Sequence, residues 1–590
     1  MSPVAFELNH WISKVPTPDL YALCVAILLA IWLTYWLGHR CCCWMLGHRH
    51  VISWRRLNSP SPWIFRKVDI DTYREGLAVA TLFAANVLGL SLWTHSWAGA
   101  QRRAGSLAVI HLIPLCTGLT FGLPADILHI DRQTMAWMHR WVGRLCVLHS
   151  LFHGSLLFSI AKTSALRTTR HMVPFVAVCA MFLVVPLTHA VVVRSHRQFA
   201  LKCHYLLAAI AVGALVYHLV ERHSVYRWYL LGAICLWIGL TAVECTRTVL
   251  AHKPWRNGRH DMVVSSFNNL LWLDVTVPAS WNIRPGQYVQ LWMPRGGSRL
   301  CLQLPLFYVA FWEDEGTRRI LRLVIRPRRG QGLAKKPFRD RLNTPIEKLV
   351  IILGPYGRSD NFCQCGTILF IVEDIGFFRI LPYIGMLVQA SLDRRAMVRK
   401  LVVLWQVKVE DWCFAQWADD LVQDILSLDR GGFNILQINF FCPDGKHPLS
   451  SKPSARMHFS HYSRITEKEV LRHSNDQRGD MVVAVCAGTP LRKVVRKTVQ
   501  PRTGAGLRLV NFDLGPCHEW ARNDNTLGGA ESTVNNLTEL NYELSSMGTP
   551  SKVAPSVPES GHPWPRNEPV KEHPESNHNK WVKSKLAEGQ

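Results

Sequence analysis

The chain has 590 residues, 48% of them hydrophobic, and a formal net charge of +25. That length argues against a single core and for several domains. The charge does not mark a nucleic-acid binder, because the basic residues flank apolar segments and no zinc-finger or RNP motif accompanies them. The 17 cysteines form no CxxC pair and no regular spacing, which argues against a thiolate metal site or a disulfide framework.

Seven segments, near 20–37, 76–95, 105–123, 138–160, 172–193, 201–220 and 226–245, are apolar over the length of about 20 residues that a bilayer requires. Residues 1–19 lack an apolar signal-peptide core, so 20–37 is expected to act as an uncleaved signal anchor. The run Cys41-Cys42-Cys43 follows it, open to palmitoylation or left as free thiols. With the N-terminus outside, the inward-facing segments carry twice as many Lys and Arg as the outward-facing ones. Residues 1–74 then hold the first span and a basic cytosolic loop, residues 75–246 form a transmembrane helical domain, and everything after 246 is cytosolic.

Two of these spans carry paired histidines. His139 and His153 lie on the fourth, His204 and His218 on the sixth, and each pair is 14 residues apart. Fourteen residues of α-helix rise about 21 Å and return to within roughly 40° of the same face. Each helix therefore offers two imidazoles on one stripe, near opposite leaflets. A pair of facing helices would hold two stacked bis-histidine haems, His139 with His204 on the inner side and His153 with His218 on the outer. Ionisable side chains in a bilayer are expensive and point to function. Iron with both axial positions filled suits electron transfer rather than oxygen binding. The bland alternative, histidines bonded to neighbouring helices, fits a single residue better than two equal spacings. It stands for His111 and His149, which have no spaced partner.

From about residue 260 the period changes. Leu271–Val277, Tyr288–Trp292 and Ile320–Ile325 are short β-rich runs between Pro and Gly turns, so 255–365 is expected to be a small antiparallel barrel. From 366 to 520 strands alternate with helices: strands at 367–372, 400–406, 434–441 and 481–486, helices at 377–391, 411–428 and 489–499. That alternation predicts a parallel α/β sheet. Residues 521–590 are rich in Pro, Ser, Asn, Glu and His and read as a disordered tail.

The segment His139-Arg140-Trp141-Val142-Gly143-Arg144, followed by His153, resembles the haem-helix signature of fungal ferric reductases, relatives of the NADPH oxidases. The resemblance runs through most of 75–520. It implies a multi-domain membrane protein: an all-α haem-binding bundle, an antiparallel FAD-binding barrel, and an α/β nucleotide-binding domain of the ferredoxin reductase type. The implied cofactors are two haem b groups, FAD and NADPH. For FAD the matching residues are Arg284, Pro285, Gly286 and Gln287, then Phe307 and Tyr308, then Arg328, Arg329 and Gly330. The family's His-Pro before Phe-Tyr is replaced here by Pro305-Leu306, and its Thr after the arginines is missing. For NADPH the matching residues are Gly354 and Gly357 of a Gly-Pro-Tyr-Gly run, Gly376, Cys486 and Gly488. The family's Gly-Gly-x-Gly turn, whose amides receive the pyrophosphate, reads Glu373-Asp374-Ile375-Gly376, placing two carboxylates before two phosphates.

The activity implied is that of an NADPH-dependent metalloreductase. Electrons would pass from cytosolic NADPH through FAD and both haems to an extracellular ferric or cupric chelate. The expected location is the plasma membrane, in contact with lipid, with a permease or a second copy as partner and no nucleic acid. Two rival readings are a superoxide-generating NADPH oxidase, with oxygen as acceptor, and a haem relay or sensor whose nucleotide module is impaired. The Glu373-Asp374 and Pro305-Leu306 departures support the latter.

Overall fold

The computed structural model describes residues 18–27, 64–65, 68–118, 120–160, 169–252, 261–267, 270–292, 306–316, 318–325, 346–407, 422–429, 433–443, 456–503 and 506–512. Cys41-Cys42-Cys43, the Arg328-Arg329-Gly330 run and the 521–590 tail lie outside these residues.

The first part is helical. A short helix α1 (Pro18–Ile27) precedes α2 (Tyr73–Ser91), α3 (Trp97–Leu115), α4 (Gly122–Ile127), α5 (Arg132–Ile160), α6 (Thr169–Leu187), α7 (Ala190–Glu221) and α8 (Arg227–His252). Local chemistry sets where two of them start. The Thr72 hydroxyl accepts the Glu75 amide while the Glu75 carboxylate accepts the Thr72 amide, each at 3.2 Å, so a capping box opens α2. Ser96 Oγ accepts the Gly99 amide at 3.1 Å and starts α3 well before the expected residue 105. The chain then leaves helical geometry at Cys116, and Gly118 sits at φ +80°, so α3 ends short of the expected residue 123.

Among the described residues, three helical stretches are long and apolar enough to cross a membrane: Phe199–Glu221, Arg227–Ala251 and Asp374–Leu392. The first two have only 11% and 17% of their apolar window buried, whereas the third is 61% buried. Leu206, Val220, Trp228 and Ile238 are among the large apolar side chains that α7 and α8 leave exposed. Seven spans were expected. Helices α2, α3 and α5 carry polar groups, including Asn86, Arg102 and Arg140, that bond to neighbouring segments or to their own turns.

The second part is antiparallel. It comprises β1 (Asp261–Phe267), β2 (Leu270–Pro278), β3 (Tyr288–Trp292), β4 (Leu306–Glu315), β5 (Arg318–Ile325), β6 (Ile346–Leu349) and β7 (Ile351–Tyr356). Their order in the sheet is β6-β1-β2-β5-β4-β3-β7. The two edge strands are separated by Val350 alone, so one continuous segment forms both edges and the sheet must curl until they meet. Val350 is 1% exposed and joins Met262, Leu273, Val289, Leu321 and Ile352 in the interior. Alternation puts these residues inward and their neighbours outward.

The third part is a six-stranded parallel sheet. It comprises β8 (Thr367–Glu373), β9 (Lys400–Gln406), β10 (Leu436–Cys442), β11 (Met457–His461), β12 (Met481–Cys486) and β13 (Leu507–Asn511), in the order β11-β10-β9-β8-β12-β13. Helices α9 (Phe377–Leu392), α10 (Glu467–Asn475) and α11 (Thr489–Val499) accompany it. Along β8, Ile368, Phe370 and Val372 pack on one face, and Leu369 and Ile371 on the other. Both faces are thus covered, as a parallel sheet requires. Strands β11 and β13 and helix α10 were not anticipated. Both strands are edges of mixed polarity, and α10 is polar enough to read as loop. The helix expected at 411–428 falls partly outside the described residues, which show helix over 422–429.

Candidate functional site

The inner histidine pair meets. The rings of His139 on α5 and His204 on α7 lie 6.3 Å apart, centre to centre, at 75°. The Nδ1 atoms of both are buried without a hydrogen-bond partner. Imidazole–metal bonds of roughly 2 Å on either side of one ion require about 6 Å between ring centres. The residues present therefore fit a six-coordinate haem iron between them. Phe121, just ahead of α4, sets its ring edge against His139 at 5.3 Å. Helix α6 packs against both α5 and α7 and brings the two histidine helices to the same side.

The outer pair is prepared on one side. His153 Nδ1 is 2.8 Å from the Gln101 carbonyl, and that bond leaves the other ring nitrogen as an electron-pair donor. The imidazole lies so close to Gly105 that a Cβ there would stand 2.8 Å from it. His218 occupies the last turn of α7, half-buried. His111 and His149 behave differently. Their rings stack at 5.5 Å, His149 Nε2 is 2.9 Å from Asn86 Oδ1, and His111 Nδ1 is 2.5 Å from the Leu107 carbonyl.

Neighbours of His139 in its motif hold the helix in place. Arg140 grips Asp69 with two bonds, Nε to Oδ2 at 2.7 Å and a terminal nitrogen to Oδ1 at 3.1 Å. Trp137 Nε1 donates to the Asp69 carbonyl at 2.8 Å, and Arg144 lies 4.4 Å over the Trp141 ring. A Cβ added at Gly143 would stand 3.8 Å from Leu115 Cδ2, an ordinary van der Waals contact.

On the barrel, Gly286 turns at φ +83°, and a Cβ there would collide with the Tyr383 hydroxyl. Gln287 closes this turn, accepting the Arg284 amide at 2.8 Å and donating to the Gly357 carbonyl at 3.2 Å. Pro285 is buried beside it. Phe307 points into the barrel interior, 2% exposed, whereas Tyr308 faces outward, as strand alternation demands. The Arg379 guanidinium lies 3.8 Å from the Tyr308 ring centre and 5.0 Å from that of Phe512. The guanidinium thus lies over two aromatic rings. Burial pushes the Tyr383 hydroxyl up to about 12, so it is a neutral donor at working pH.

Gly354 and Gly357 lie at the junction with the helical part. Their φ values of +123° and +90° suit glycine, and a Cβ on Gly357 would press on the Tyr288 ring at 3.1 Å. The Gly357 amide donates to Asp126 Oδ1 at 3.1 Å. Between them Tyr356 packs its ring on Gly122 and donates its hydroxyl to Glu244 of α8. Glu244 is 2% exposed and also accepts from Thr120 Oγ1 at 2.7 Å. Burial, then the Glu244 charge, hold the Tyr356 hydroxyl far above its ordinary value. The sequence carried a signal for Glu244, a carboxylate inside an apolar helix.

Gly376, Cys486 and Gly488 do gather at the carboxyl ends of β8 and β12. Strand order reverses there, since β8 leads to β9, β10 and β11 on one side and β12 and β13 lie on the other. Dinucleotides bind open α/β sheets in that crevice. Here Glu373 Oε2 accepts the Gly488 amide at 2.7 Å across it. Asp374 sits at φ +49°, its carbonyl bonded to Trp405 Nε1 at 3.1 Å, and Trp405 stacks on Phe377 at 4.0 Å and 6°. Gly376 begins α9 with no side-chain cap, and Cys486 is fully buried.

No protein-family model and no curated protein matches the chain. Among solved structures it is similar to a flavohemoglobin from Malassezia yamatoensis with bound FAD and heme, at 13% identity and TM-score 0.34, over 71% of this chain and 99% of that one. It is similar to the flavohem-like FAD/NAD binding domain of a nitric oxide dioxygenase from Vibrio cholerae, at 11% identity and TM-score 0.28, over 43% of this chain and 99% of that one. A ferredoxin-NADP+ reductase from Plasmodium falciparum matches at 9% identity and TM-score 0.28, over 43% of this chain and 95% of that one.

Proposed function

We propose that the chain is a transmembrane oxidoreductase. Electrons from a cytosolic nicotinamide nucleotide pass through a flavin and two haems to a ferric or cupric chelate outside. The observation that carries this is the His139–His204 pair: two half-buried histidines whose rings lie 6.3 Å apart, each with a buried Nδ1 that no protein atom satisfies. Two such histidines bonded only to protein would leave that polarity uncompensated, at a cost of about 1–3 kcal/mol each.

When bound, haems held by these histidines would supply one-electron transfer, and a flavin would supply the change from two-electron to one-electron chemistry. The chain's own residues supply position. His139 and His204 would hold the inner iron, and His153, oriented by Gln101, would hold the outer with His218. Tyr308 and Phe512 would flank the flavin ring, and Gly286 gives the turn beside it room. Tyr356 and Phe121 lie between that region and His139, with Glu244 and Asp126 fixing the Gly354–Gly357 loop to the helices. In this reading α7 and α8 present their exposed apolar faces to lipid, residues 255–365 and 366–520 are cytosolic, and the membrane is the plasma membrane. A permease or a second copy is the expected partner.

One observation favours a second reading, a haem relay fed by another reductase. The Gly488 amide in the nucleotide crevice is already taken by Glu373. An anaerobic absorbance spectrum separates the two readings. The purified protein, supplied with haem and FAD, is recorded alone, after NADPH, and after dithionite. Haem bands that shift with NADPH support the full reductase. Bands that shift with dithionite alone support the relay, and a spectrum without haem bands overturns both.

A further inference from the structure

The crevice between β8 and β12 has a carboxylate in it. Glu373 is the last residue of β8, and Gly488 is the N-cap of α11, just past the end of β12. Their contact at 2.7 Å spans the switch point of the sheet. A Cβ added to Gly488 would come within 2.9 Å of the same carboxylate oxygen, so the two elements are closely joined. An amide at a helix N-terminus favours an anion, through both its free N–H and the helix dipole. In this chain the anion is a side chain. The turn that follows is fixed by independent contacts: the Asp374 carbonyl is held by Trp405, and the start of α9 is filled by Phe377 stacked on that indole. Phe377 and Trp405 are both fully buried.

We propose that Glu373 is the specificity-determining residue of this crevice. Its carboxylate stands at the turn that would face the dinucleotide phosphates and bridges the crevice to the Gly488 amide, so NADPH and NADH bind only against its charge and by breaking that bridge. The inference rests on reading 366–520 as a nucleotide-binding domain. It adds that dinucleotide affinity is held down chiefly by the one carboxylate that bridges the crevice, and that the effect is electrostatic. Gln at 373 keeps the accepting oxygen and loses the charge, whereas Gly removes the bridge altogether, so affinity should rise from Glu to Gln to Gly.

The test is calorimetric titration of NADPH, and separately NADH, into the full-length haem-loaded protein and its E373Q and E373G variants. The haem spectrum is recorded as an independent control. The expected result is at least tenfold tighter binding by E373Q than by the parent, tighter still by E373G, with the three haem spectra superimposable. Equal, measurable affinity in the parent and E373Q overturns the inference and leaves the nucleotide reading intact. No binding by any of the three overturns the nucleotide reading itself. If E373G does not fold, the near-isosteric E373Q still decides the matter.

Discussion

Two places in the molecule, the His139–His204 pair in the helices and the Glu373–Gly488 contact in the α/β region, treat buried polar atoms in opposite ways. In the helices, His139 and His204 face each other with ring nitrogens that no protein group satisfies. In the crevice of the parallel sheet the Gly488 amide is matched by Glu373, and Phe377 and Trp405 fill the adjoining space. A site built to receive a group leaves atoms unsatisfied until the group arrives, because unmet buried polarity is costly. A site that satisfies itself must first break what it has. By that measure the haem end of the proposed path is prepared for its cofactor, and the nucleotide end must be opened.

The largest expected effect tests the prepared end. His139→Ala should remove one of two haems, halving the haem content per protein in a pyridine haemochrome assay, and should abolish reduction of an external chelate. His149→Ala should leave both haems in place. It would instead strand Asn86 Oδ1, which now faces His149 Nε2 at 2.9 Å, and cost about 1–3 kcal/mol of stability. A His139→Ala protein with two haems would show that unsatisfied nitrogens do not mark ligands here, and the contrast between the regions would collapse.

A smaller effect is expected at the joint between helices and barrel. Tyr356→Phe deletes a hydroxyl donated to the buried Glu244, which keeps only its bond from Thr120 among those described. Loss of one charge-assisted bond of this kind costs about 1.5–3 kcal/mol. A lowered midpoint of thermal unfolding, with haem content unchanged, would place Glu244 with the self-satisfied groups. Loss of haem along with stability would instead tie the joint to the His139 site, through Phe121.

What the sequence reveals differs between these places for physical reasons. The equal spacing of His139/His153 and His204/His218 is legible because a helix converts sequence interval into angle and rise without any knowledge of packing. The run Ile368–Val372 reads as a buried strand because a sheet covered on both faces needs apolar residues at every position. The Phe307–Tyr308 pair was legible as a motif but not in its division of roles, since only the strand's orientation sends Phe307 inward. Gly354 and Gly357 were legible as glycines that permit unusual turns, but the groups that hold their loop come from far off in sequence, Asp126 231 residues from Gly357 and Glu244 112 residues from Tyr356. Glu373 was visible as a misfit in a glycine turn, while its partner Gly488 depends on how β8 and β12 align.

The smallest expected effect concerns acid stability of the α/β region, where satisfaction again decides. His473 of α10 is 8% exposed, and its Nε2 lies 3.4 Å from Asn439 Nδ2, an amide that can only donate, so the ring must accept. Burial first, then the positive charges of Lys400 and Arg472, lower its affinity for a proton, and Glu469 and Asp476 oppose them only in part. The folded chain therefore binds this proton less readily than the unfolded chain, whose histidine titrates near the ordinary value of 6.5. Stability from this residue is fully present above that value and is lost as pH falls below it toward the depressed folded value. Denaturant midpoints measured from about pH 7 down to about pH 5 should fall less steeply in His473→Gln, which has no charge to gain. The difference between the two slopes isolates this residue from the other histidines of the chain. Parallel slopes would mean that His473 takes up its proton without disturbing Asn439, and that the α/β region tolerates unmatched polarity as the helical region does.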